Sequence, residues 1–455
     1  MFFTYFVPNT NDGIRTTKYE RRSTNMELYN IYKQHPIIST DTRNIAKDSI
    51  FFALKGANFN GNTFAEKALA LGAAYVVVDE KEFQLNDRCI LVDDVLKALQ
   101  DLAHHHRSQL KIPFIGITGS NGKTTSKELL HAVLSRKFNT LATKGNLNNH
   151  IGVPLTLLSI GDDVEMAIIE MGANHQLEIE FLCSIANPDF GLICNVGKAH
   201  LEGMGGFEGV KKTKKELYDH IRNNNGIAFI NADDINLMEM SASVERKEYF
   251  GSHVNARVSG RILNADPFLS LEIKLKNDTT FSRIDSKLVG EYNLNNILAA
   301  ICIGDYFGVE LSEMIAGIES YEPSNNRSQA VKMGTNDVIM DAYNANPSSM
   351  SAAIINFSKV NATHKTLILG DMFEMGEESM REHLAMIELV HQLKFTDVIF
   401  VGKDFYACKK YEFNFFETTD EAKKYIETIK PSHSTILVKG SRGMKLETLT
   451  TSLMY

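Results

Sequence analysis

The chain has 455 residues, too many for one hydrophobic core, so its length predicts about three domains of ~150 residues each. Its 44% of hydrophobic and 23% of charged residues are typical of a soluble globular protein. The net charge of -8 argues against nucleic acid or an acidic membrane surface as the main partner. No apolar stretch approaches the ~20 residues that a membrane helix needs, so the sequence predicts no membrane span.

The first 25 residues are interpreted as a loose N-terminal extension. The opening residues lack the basic region of a signal peptide, and residues 9–25 are polar. Met26 is therefore a candidate for the functional start.

The five cysteines contain no Cys-x-x-Cys pair, and most of them lie in apolar surroundings. This pattern is typical of buried free thiols rather than of a zinc site or a disulfide framework. It favours a reducing compartment, and we expect a cytoplasmic protein.

Three α/β domains are predicted after the extension. Residues 26–111 contain short strands over 50–54, 74–78 and 89–92, and a helix over 64–71. In residues 112–323, strands alternate with helices, which favours a mostly parallel sheet covered on both faces. The predicted strands of this central domain cover residues 114–118, 166–170, 190–195 and 227–231.

Residues 324–455 form the third predicted domain, with strands over 338–341, 366–369, 397–401 and 435–438. Both linkers between the domains are short and polar. Three α/β domains joined by short hinges suggest a site that domain closure assembles.

The central domain opens with a glycine-rich segment between a predicted strand and a predicted helix, Gly119-x-x-Gly122-Lys123-Thr124. Glycines let successive backbone amides and the helix N-terminus point at one anion, and Lys123 adds a cation. Ile117 stands where the general phosphate-loop pattern has its first glycine, so the match is imperfect. The alternative is a glycine-rich turn with a solvated lysine. The strand and helix on either side favour nucleotide binding.

Four polar clusters follow predicted strands or precede helices, and ligands of open α/β sheets bind at the carboxyl ends of the strands. Residues 143–150 are rich in amide side chains, which suit a polar ligand or an Asx-rich turn. Glu170 and His200 each follow a strand, as metal ligands do, although a lone histidine is more often structural. The fourth cluster, residues 341–347, ends the first strand of the third domain.

Together these motifs resemble those of the Mur ligase superfamily, over nearly the whole chain from residue 28 to 446. The matching segments are Gly119–Thr124, Thr143–Asn149, Glu170–His175, Ala199–Glu202, Tyr292–Asn296, Asp341–Pro347, Leu369–Met372 and Lys439–Arg442. Glu-Met-Gly-Ala-Asn-His and Tyr-Asn-Ala-Asn-Pro resemble the branch that joins D-alanyl-D-alanine to UDP-N-acetylmuramoyl-tripeptide. The Asp-Asn-Pro-Arg motif, by which the preceding ligase of the pathway reads diaminopimelate, is absent from the sequence.

The resemblance implies a small N-terminal UDP-binding domain, a central phosphate-loop domain with a parallel sheet, and a C-terminal Rossmann-like domain. It also implies ATP-dependent amide formation in peptidoglycan precursor synthesis. The substrate carboxylate attacks the γ-phosphate to give an acyl phosphate and ADP, and the dipeptide amine then displaces phosphate. A monomer that needs ATP and Mg²⁺ is expected, with Mn²⁺ tolerated if nitrogen is a ligand.

Residue roles are carried over from the family motif by motif. The implied catalytic residues are Lys123, Glu170, His200 and Lys214. The implied metal ligands are Thr124, Glu170, His200 and, if CO₂ carbamylates it, Lys214, with Lys212 and Lys215 as runners-up for the modification. The ordinary alternative for Lys214 is a solvated lysine in a basic helix. The implied ATP-binding residues are Gly119, Ser120, Asn121, Gly122, Lys123, Thr124, Thr125, Asn293, Asn296, Arg327 and Asp341.

The remaining implied contacts concern the two other substrates. UDP-substrate contacts are implied at Thr40, Asp41, Thr42, Arg43, Lys55, Gly56, Asn146, Asn148 and Asn149. Contacts on the dipeptide side are implied at Asn344, Asn346, Lys439, Ser441 and Arg442. Asn62 and Tyr292 stand where the family often has histidine, which weakens any role for a histidine at those positions.

Three other functions stay open at this stage. The first is a sibling ligase that adds a different amino acid, or the folate-polyglutamating relative. The second is a phosphate-loop phosphotransferase or NTPase, against which the imperfect loop pattern argues. The third is a non-catalytic scaffold, against which the intact Lys123, Thr124, Glu170 and His200 argue. The sequence leaves the third amino acid of the tripeptide open.

Overall fold

A computed structural model describes residues 26–324 and 326–455 of the chain. The predicted extension over residues 1–25 lies outside the described residues. The chain divides into two compact units: one runs up to Lys111 and includes 144–162 and 184–187, and the other takes 112–143, 163–183 and 188–455. The predicted boundary between residues 323 and 324 lies inside the second unit, so the three-domain division stays a prediction.

The first unit is built on a parallel four-stranded sheet in the order β1-β2-β5-β6, with a small antiparallel pair, β3-β4. Its apolar face is the core of the unit, where Phe51, Val76 and Val78 pack against Ala65 and Ala68. The strands are β1 (Ile38–Ser39), β2 (Ile50–Phe52), β3 (Lys55–Gly56), β4 (Phe59–Asn60), β5 (Tyr75–Val78) and β6 (Cys89–Leu91). The helices are α1 (26–34), α2 (Ala65–Ala70), α3 (Val95–Gln109) and α5 (Gly152–Leu157).

The second unit contains a nine-stranded sheet in the order β15-β14-β13-β12-β11-β10-β7-β9-β8. Strands β7 to β13 are parallel to one another. Strand β14 is antiparallel to β13, and β15 is antiparallel to β14. The strands are β7 (Phe114–Thr118), β8 (Thr140–Ala142), β9 (Met166–Glu170), β10 (Phe190–Ile193), β11 (Ile227–Asn231), β12 (Lys247–Phe250), β13 (Val258–Asn264), β14 (Phe268–Leu275) and β15 (Ser282–Val289). The helices are α4 (Lys123–Leu134), α6 (Glu178–Ala186), α7 (Leu201–Met204), α8 (Phe207–Asn223), α9 (Ile235–Met240), α10 (Asn293–Tyr306) and α11 (Leu311–Ser320).

A six-stranded sheet in the order β16-β17-β21-β18-β19-β20 forms the rest of the second unit, residues 326–455, called the C-terminal part below. Only its edge strand β16 is antiparallel to its neighbour among these strands. The strands are β16 (Gln329–Met333), β17 (Asn336–Asp341), β18 (Lys365–Gly370), β19 (Asp397–Val401), β20 (Asn414–Phe416) and β21 (Thr435–Lys439). The helices are α12 (Pro347–Lys359), α13 (Ser379–Gln392), α14 (Lys403–Ala407) and α15 (Thr419–Ile429). Short 3-10 helices cover Thr42–Asn44, Gly61–Phe64, Lys81–Phe83, Gly376–Glu378, Arg442–Met444 and Leu446–Leu453.

The central strands of the nine-stranded sheet determine where a site can form. All residues of β7 and β9 are buried, because their continuous apolar runs lie between helices on both faces. Strand β7 pairs with β9 and β10 in parallel, with Ile117 opposite both Glu170 and Leu192. The carboxyl ends of the three strands therefore meet at one edge, which brings the residues after Thr118, Glu170 and Ile193 together.

All eleven predicted strands and the helix over 64–71 are present, with ends that differ by at most two residues. The sequence missed β1, β3, β4, β8, β12 to β16 and β20. All five cysteines are free and buried. Among the residues that the structure describes, every helix is too short or too polar to span a bilayer.

Candidate active site

The loop between β7 and α4 turns tightly around the start of the helix. Gly119 and Gly122 have φ angles of +150° and +76°, a region that favours glycine. A Cβ atom on Gly122 would also lie 2.8 Å from Oδ1 of Asn296. The Lys123 ammonium folds back over the loop and donates to the carbonyl oxygens of Gly119 at 2.6 Å and Ser120 at 3.3 Å. The glycines thus allow the tight loop that holds the Lys123 ammonium over its own carbonyl oxygens.

The end of β10 fixes the conformation of this loop. Asn195 Oδ1 accepts from the Asn121 amide at 2.9 Å, and Asn195 Nδ2 donates to the Asn121 carbonyl at 3.0 Å. Ser120 Oγ donates to the Gly197 carbonyl at 3.0 Å. The loop is therefore held in place by a neighbouring strand end before any anion binds.

Two oxygen-bearing side chains meet beside the loop. Thr124, in the first turn of α4, donates from Oγ1 to Oε1 of Glu170 at 3.2 Å. Glu170 is 2% exposed at the end of β9, and its backbone amide donates to Oγ1 of Thr143 at 2.9 Å. A hydroxyl and a carboxylate at a helix N-terminus are the oxygen donors that Mg²⁺ prefers near phosphates, so these residues fit that cation.

The electrostatics of Lys123 depend on the same residues. Burial lowers the pKa of the Lys123 ammonium below its usual value, and the Glu170 carboxylate partly opposes that shift. The nearby Arg327 guanidinium lowers it further. Lys123 and Arg327 therefore bring two cations to the loop, where a polyanion would relieve their repulsion.

Helix α8 brings Lys214 into the interior, where its residue is 1% exposed. Burial lowers the pKa of Lys214 to about 7, and repulsion from Lys123 contributes. The other lysines of the run point elsewhere: Lys212 is exposed, while Lys211 pairs with Glu239 and Lys215 with Asp219. Of the lysines between residues 211 and 215, Lys214 is the one that the fold buries.

His200 makes a different contact from the one that the sequence suggested. It precedes α7 with a left-handed backbone, φ +52°, and its Nδ1 pairs with Glu374 Oε2. In the described residues no group of three or more His, Cys, Asp or Glu side chains could hold a metal ion. A shared cation site of Glu170 and His200 stays a prediction.

The residues implied to bind the adenine and ribose lie near the loop or in the C-terminal part. Asn293 and Asn296 are buried at the start of α10 and joined by a 2.8 Å hydrogen bond, and Asn296 Oδ1 accepts from Ser126. Asp341 accepts from the Lys439 ammonium at 2.6 Å. Arg327 lies 3.5 Å from the ring centroid of Tyr343. Thr125, also implied, lies in the first turn of α4.

Family models match residues 36–107 (Mur ligase family, catalytic domain), 117–304 (Mur ligase middle domain) and 326–442 (Mur ligase, glutamate ligase domain). The UDP-N-acetylmuramoyl-tripeptide--D-alanyl-D-alanine ligase of Bacillus subtilis is 35% identical over 430 residues, 92% of this chain and 93% of that protein. The ligase of the same name from Escherichia coli is 33% identical over 91% of this chain and 93% of its own length.

The chain belongs to the Mur ligase family.

Solved structures of the family agree with this assignment. MurF from Acinetobacter baumannii superimposes with a TM-score of 0.83 at 31% identity, covering 92% of this chain and 93% of that one. MurF from Thermotoga maritima, solved in complex with ADP, gives a TM-score of 0.81 at 25% identity, covering 92% of this chain and 97% of that one. The predicted α/β fold class and the resemblance to this branch of the family are confirmed.

In this Mur ligase, the residues implied on the dipeptide side differ in exposure: three are buried and two are exposed. Lys439 and Ser441 are each 2% exposed. The Lys439 ammonium donates to Asp341, and the Ser441 hydroxyl accepts from the Phe373 amide. Asn346 begins α12, where its side chain accepts from Ser349 and donates to Asn121 Oδ1 at 2.7 Å. Asn344 and Arg442 are exposed. Of the five residues, only those two face solvent in the described structure.

The residues implied to hold the UDP group lie in the first unit. Arg43 pairs with Asp41 at 2.6 Å where Thr42–Asn44 form a 3-10 helix. Lys55, next to Gly56, contacts the carboxylates of Asp79 at 2.8 Å and Glu80 at 2.9 Å. Thr40 precedes this helix, Asn149 Oδ1 accepts from the first amides of α5, and Asn146 and Asn148 lie in the turn before it.

Sequence reasoning overlooked several residues around the loop. Asn195 and Lys198 follow β10 in a segment that was singled out for His200 alone. Glu374 and Glu382 lie in the C-terminal part, about 180 residues along the chain from their partners, and belong to no motif that names them. Their contacts with His200 and Lys198 depend on the tertiary packing and leave no local signal in the sequence.

Proposed function

We propose that this chain is an ATP-dependent ligase that joins D-alanyl-D-alanine to UDP-N-acetylmuramoyl-tripeptide and releases ADP and phosphate. The observation that carries the proposal is the phosphate loop whose Lys123 and Thr124 lie beside Glu170, in a chain that matches ligases of that name over nine-tenths of its length. This reaction belongs to peptidoglycan precursor synthesis.

The first half of the reaction must bring two anions together. A substrate carboxylate and the γ-phosphate repel each other, so cations and amide groups have to lie between them. Lys123 and the N-terminus of α4 supply that positive potential, and Arg327 adds a guanidinium charge. The attack then transfers the γ-phosphoryl group to the carboxylate oxygen, breaks its bond to the ADP oxygen and leaves an acyl phosphate.

Thr124 and Glu170 would hold the magnesium ion, which neutralises charge on the phosphates when bound. His200 is proposed as a further ligand after it leaves Glu374. Because imidazole nitrogen is an unusual Mg²⁺ ligand, Mn²⁺ is expected to substitute.

Lys214 is the proposed site of carbamylation. A lysine with a pKa of about 7 is about half neutral amine at neutral pH, and only the neutral amine attacks CO₂. The attack forms an N–C bond and breaks one N–H bond, so the neutral amine loses one proton. Counted from the ammonium form, two protons leave and a cation is replaced by an anionic carbamate. The new charge would turn repulsion from Lys123 into attraction and would offer oxygen atoms to a bound cation.

The second half of the reaction uses the C-terminal part. The amine of the dipeptide attacks the acyl carbon, and phosphate leaves from the tetrahedral intermediate. Arg442 and Asn344 are exposed and are proposed to face the dipeptide, while the buried Lys439 and Ser441 support the surrounding loops. Thr40–Arg43, Lys55–Gly56 and the 146–149 turn are proposed to hold the UDP group.

We further propose a cytoplasmic monomer with three domains bounded at residues 111 and 323. The UDP-linked substrate and the five buried thiols support the compartment. Three separate family-model matches, one to each predicted domain, support the division. The folylpolyglutamate synthase of Mycobacterium tuberculosis shares the fold at 16% identity and a TM-score of 0.60, which bears on the fold alone.

The test supplies ATP, Mg²⁺ and UDP-muramoyl-tripeptide, and measures phosphate release with and without D-alanyl-D-alanine. We expect sustained release only with the dipeptide, because the acyl phosphate needs the amine to turn over. Single amino acids and glutamylated folate serve as controls for the sibling and folate activities. Release that is equally fast without the dipeptide would contradict the proposed function and favour an NTPase.

A further inference from the structure

Residues 197–202, called the His200 segment below, lie against both the phosphate loop and the C-terminal part. On one side Gly197 accepts from Ser120 in the loop. On the other side the Lys198 amide donates to Ser348 Oγ at 2.9 Å, and the Glu202 amide donates to the Glu374 carbonyl at 3.4 Å. The segment therefore bridges the phosphate loop and the C-terminal part.

The segment adopts a conformation that has to be held from outside. His200 has a φ of +52°, in the left-handed region that non-glycine residues seldom occupy. Such a backbone persists where surrounding contacts impose it. Besides the contact with the loop, the contacts with the C-terminal part hold the segment in this conformation, and they include an ion pair.

Lys198 Nζ lies 2.7 Å from Oε1 of Glu382, a residue on α13. The Glu382 side chain is only 5% exposed, whereas that of Lys198 is 45% exposed. Arg381 also contacts this carboxylate at 3.0 Å, but from the same helix and while paired with Glu378. Lys198 is thus the cation that reaches Glu382 from the nine-stranded-sheet side.

We propose that Lys198 and Glu382 form a latch, an ion pair that holds the His200 segment against the C-terminal part. The latch thereby positions the C-terminal part for amide formation. The buried Glu382 carboxylate would keep only Arg381 if it lost Lys198, and this loss of a second cation gives the pair a preference for the docked arrangement. Lys198 and Glu382 are positioning residues, since neither contacts the phosphate loop. The inference rests on the proposed function, because the amine substrate is assigned to the C-terminal part.

The test compares Lys198→Gln, which removes the charge, with Lys198→Arg, which keeps it. For Lys198→Gln we expect the KM for D-alanyl-D-alanine to rise roughly tenfold, between the effects of exposed and buried pairs. The KM for UDP-muramoyl-tripeptide is expected to change less than twofold, because the latch acts on the amine side. Lys198→Arg should stay close to wild type.

Glu382→Gln and the double variant show whether the two residues act as one contact. If they form a latch, the double variant is no worse than either single variant, since removing the first charge already abolishes the interaction. Effects that multiply would overturn the pairing.

Hydrogen exchange of the amides in residues 197–206 gives a readout that does not depend on turnover. We expect faster exchange in Lys198→Gln and Glu382→Gln, and wild-type exchange in Lys198→Arg. Unchanged exchange together with an unchanged KM for the dipeptide would overturn the latch. If wild-type protein instead released phosphate without the dipeptide, the proposed function would fail, while the exchange rates would still decide whether the latch exists.

Discussion

Replacing Lys123 with alanine is expected to lower the turnover number at least ~100-fold, the scale for losing one preorganised charge donor. Lys123 lies in the first turn of α4, and its ammonium already sits over the loop carbonyls of Gly119 and Ser120. The substitution removes the cation that the phosphate loop holds at the N-terminus of α4. Steady-state phosphate release with saturating substrates measures the effect.

The matched control is Lys137→Ala, just beyond the other end of the same helix. Lys137 is exposed and donates to the carbonyls of Phe307 and Gly308, away from the loop. It should keep a turnover number within a fewfold of wild type. A Lys123→Ala protein with the wild-type rate would show that the loop does not act on the transferred phosphoryl group.

Lys214→Ala is expected to be inactive and to regain part of its activity in the presence of short carboxylic acids such as formate or acetate. The substitution removes the proposed carbamate and leaves a small cavity in a buried, cationic environment next to Lys123. A small carboxylate that enters this cavity restores the anionic oxygens. The measurement is the initial rate against acid concentration, with chloride at equal ionic strength as the reference.

Lys212→Ala serves as the control, because Lys212 belongs to the same basic run but is exposed. It should be fully active and indifferent to added acids. Full activity of Lys214→Ala without any acid would remove carbamylation from the mechanism. Loss of activity in Lys212→Ala with rescue would move the modification to that residue.

The elements that the sequence predicted well are those with an unambiguous local signal. Strands such as Phe114–Thr118 and Met166–Glu170 are buried on both faces and therefore read as continuous apolar runs. The phosphate loop was found for the same reason, since its glycines, Lys123 and the flanking strand and helix all lie within about 20 residues. Local patterns of this kind can be recognised without knowledge of the tertiary structure.

The antiparallel strands of the nine-stranded sheet were missed because they have a different pattern. Strands Phe268–Leu275 and Ser282–Val289 alternate between buried and more exposed residues, so neither has a long apolar run. Sequence reasoning that searched for buried parallel strands passed over them. Short edge strands such as Thr140–Ala142 carry too few residues to show any period.

Within the candidate site, the limit of sequence reasoning lies at contacts between distant segments. His200 was identified from its motif, but its partner Glu374 and the nearby pair of Lys198 and Glu382 depend on how the C-terminal part packs against it. For Lys214 the sequence offered three lysines, and burial distinguishes one of them. Exposure and long-range partners are properties of the packed chain and have no local code.

The most direct measurement is a crystal structure of the protein with Mg²⁺ and a non-hydrolysable ATP analogue. If the phosphate loop grips the terminal phosphoryl group, Lys123 Nζ will have left the Gly119 carbonyl and will donate to the β- and γ-phosphate oxygens, with Thr124 and Glu170 beside the cation. A triphosphate bound elsewhere, with Lys123 still folded onto its own loop, would contradict the central claim.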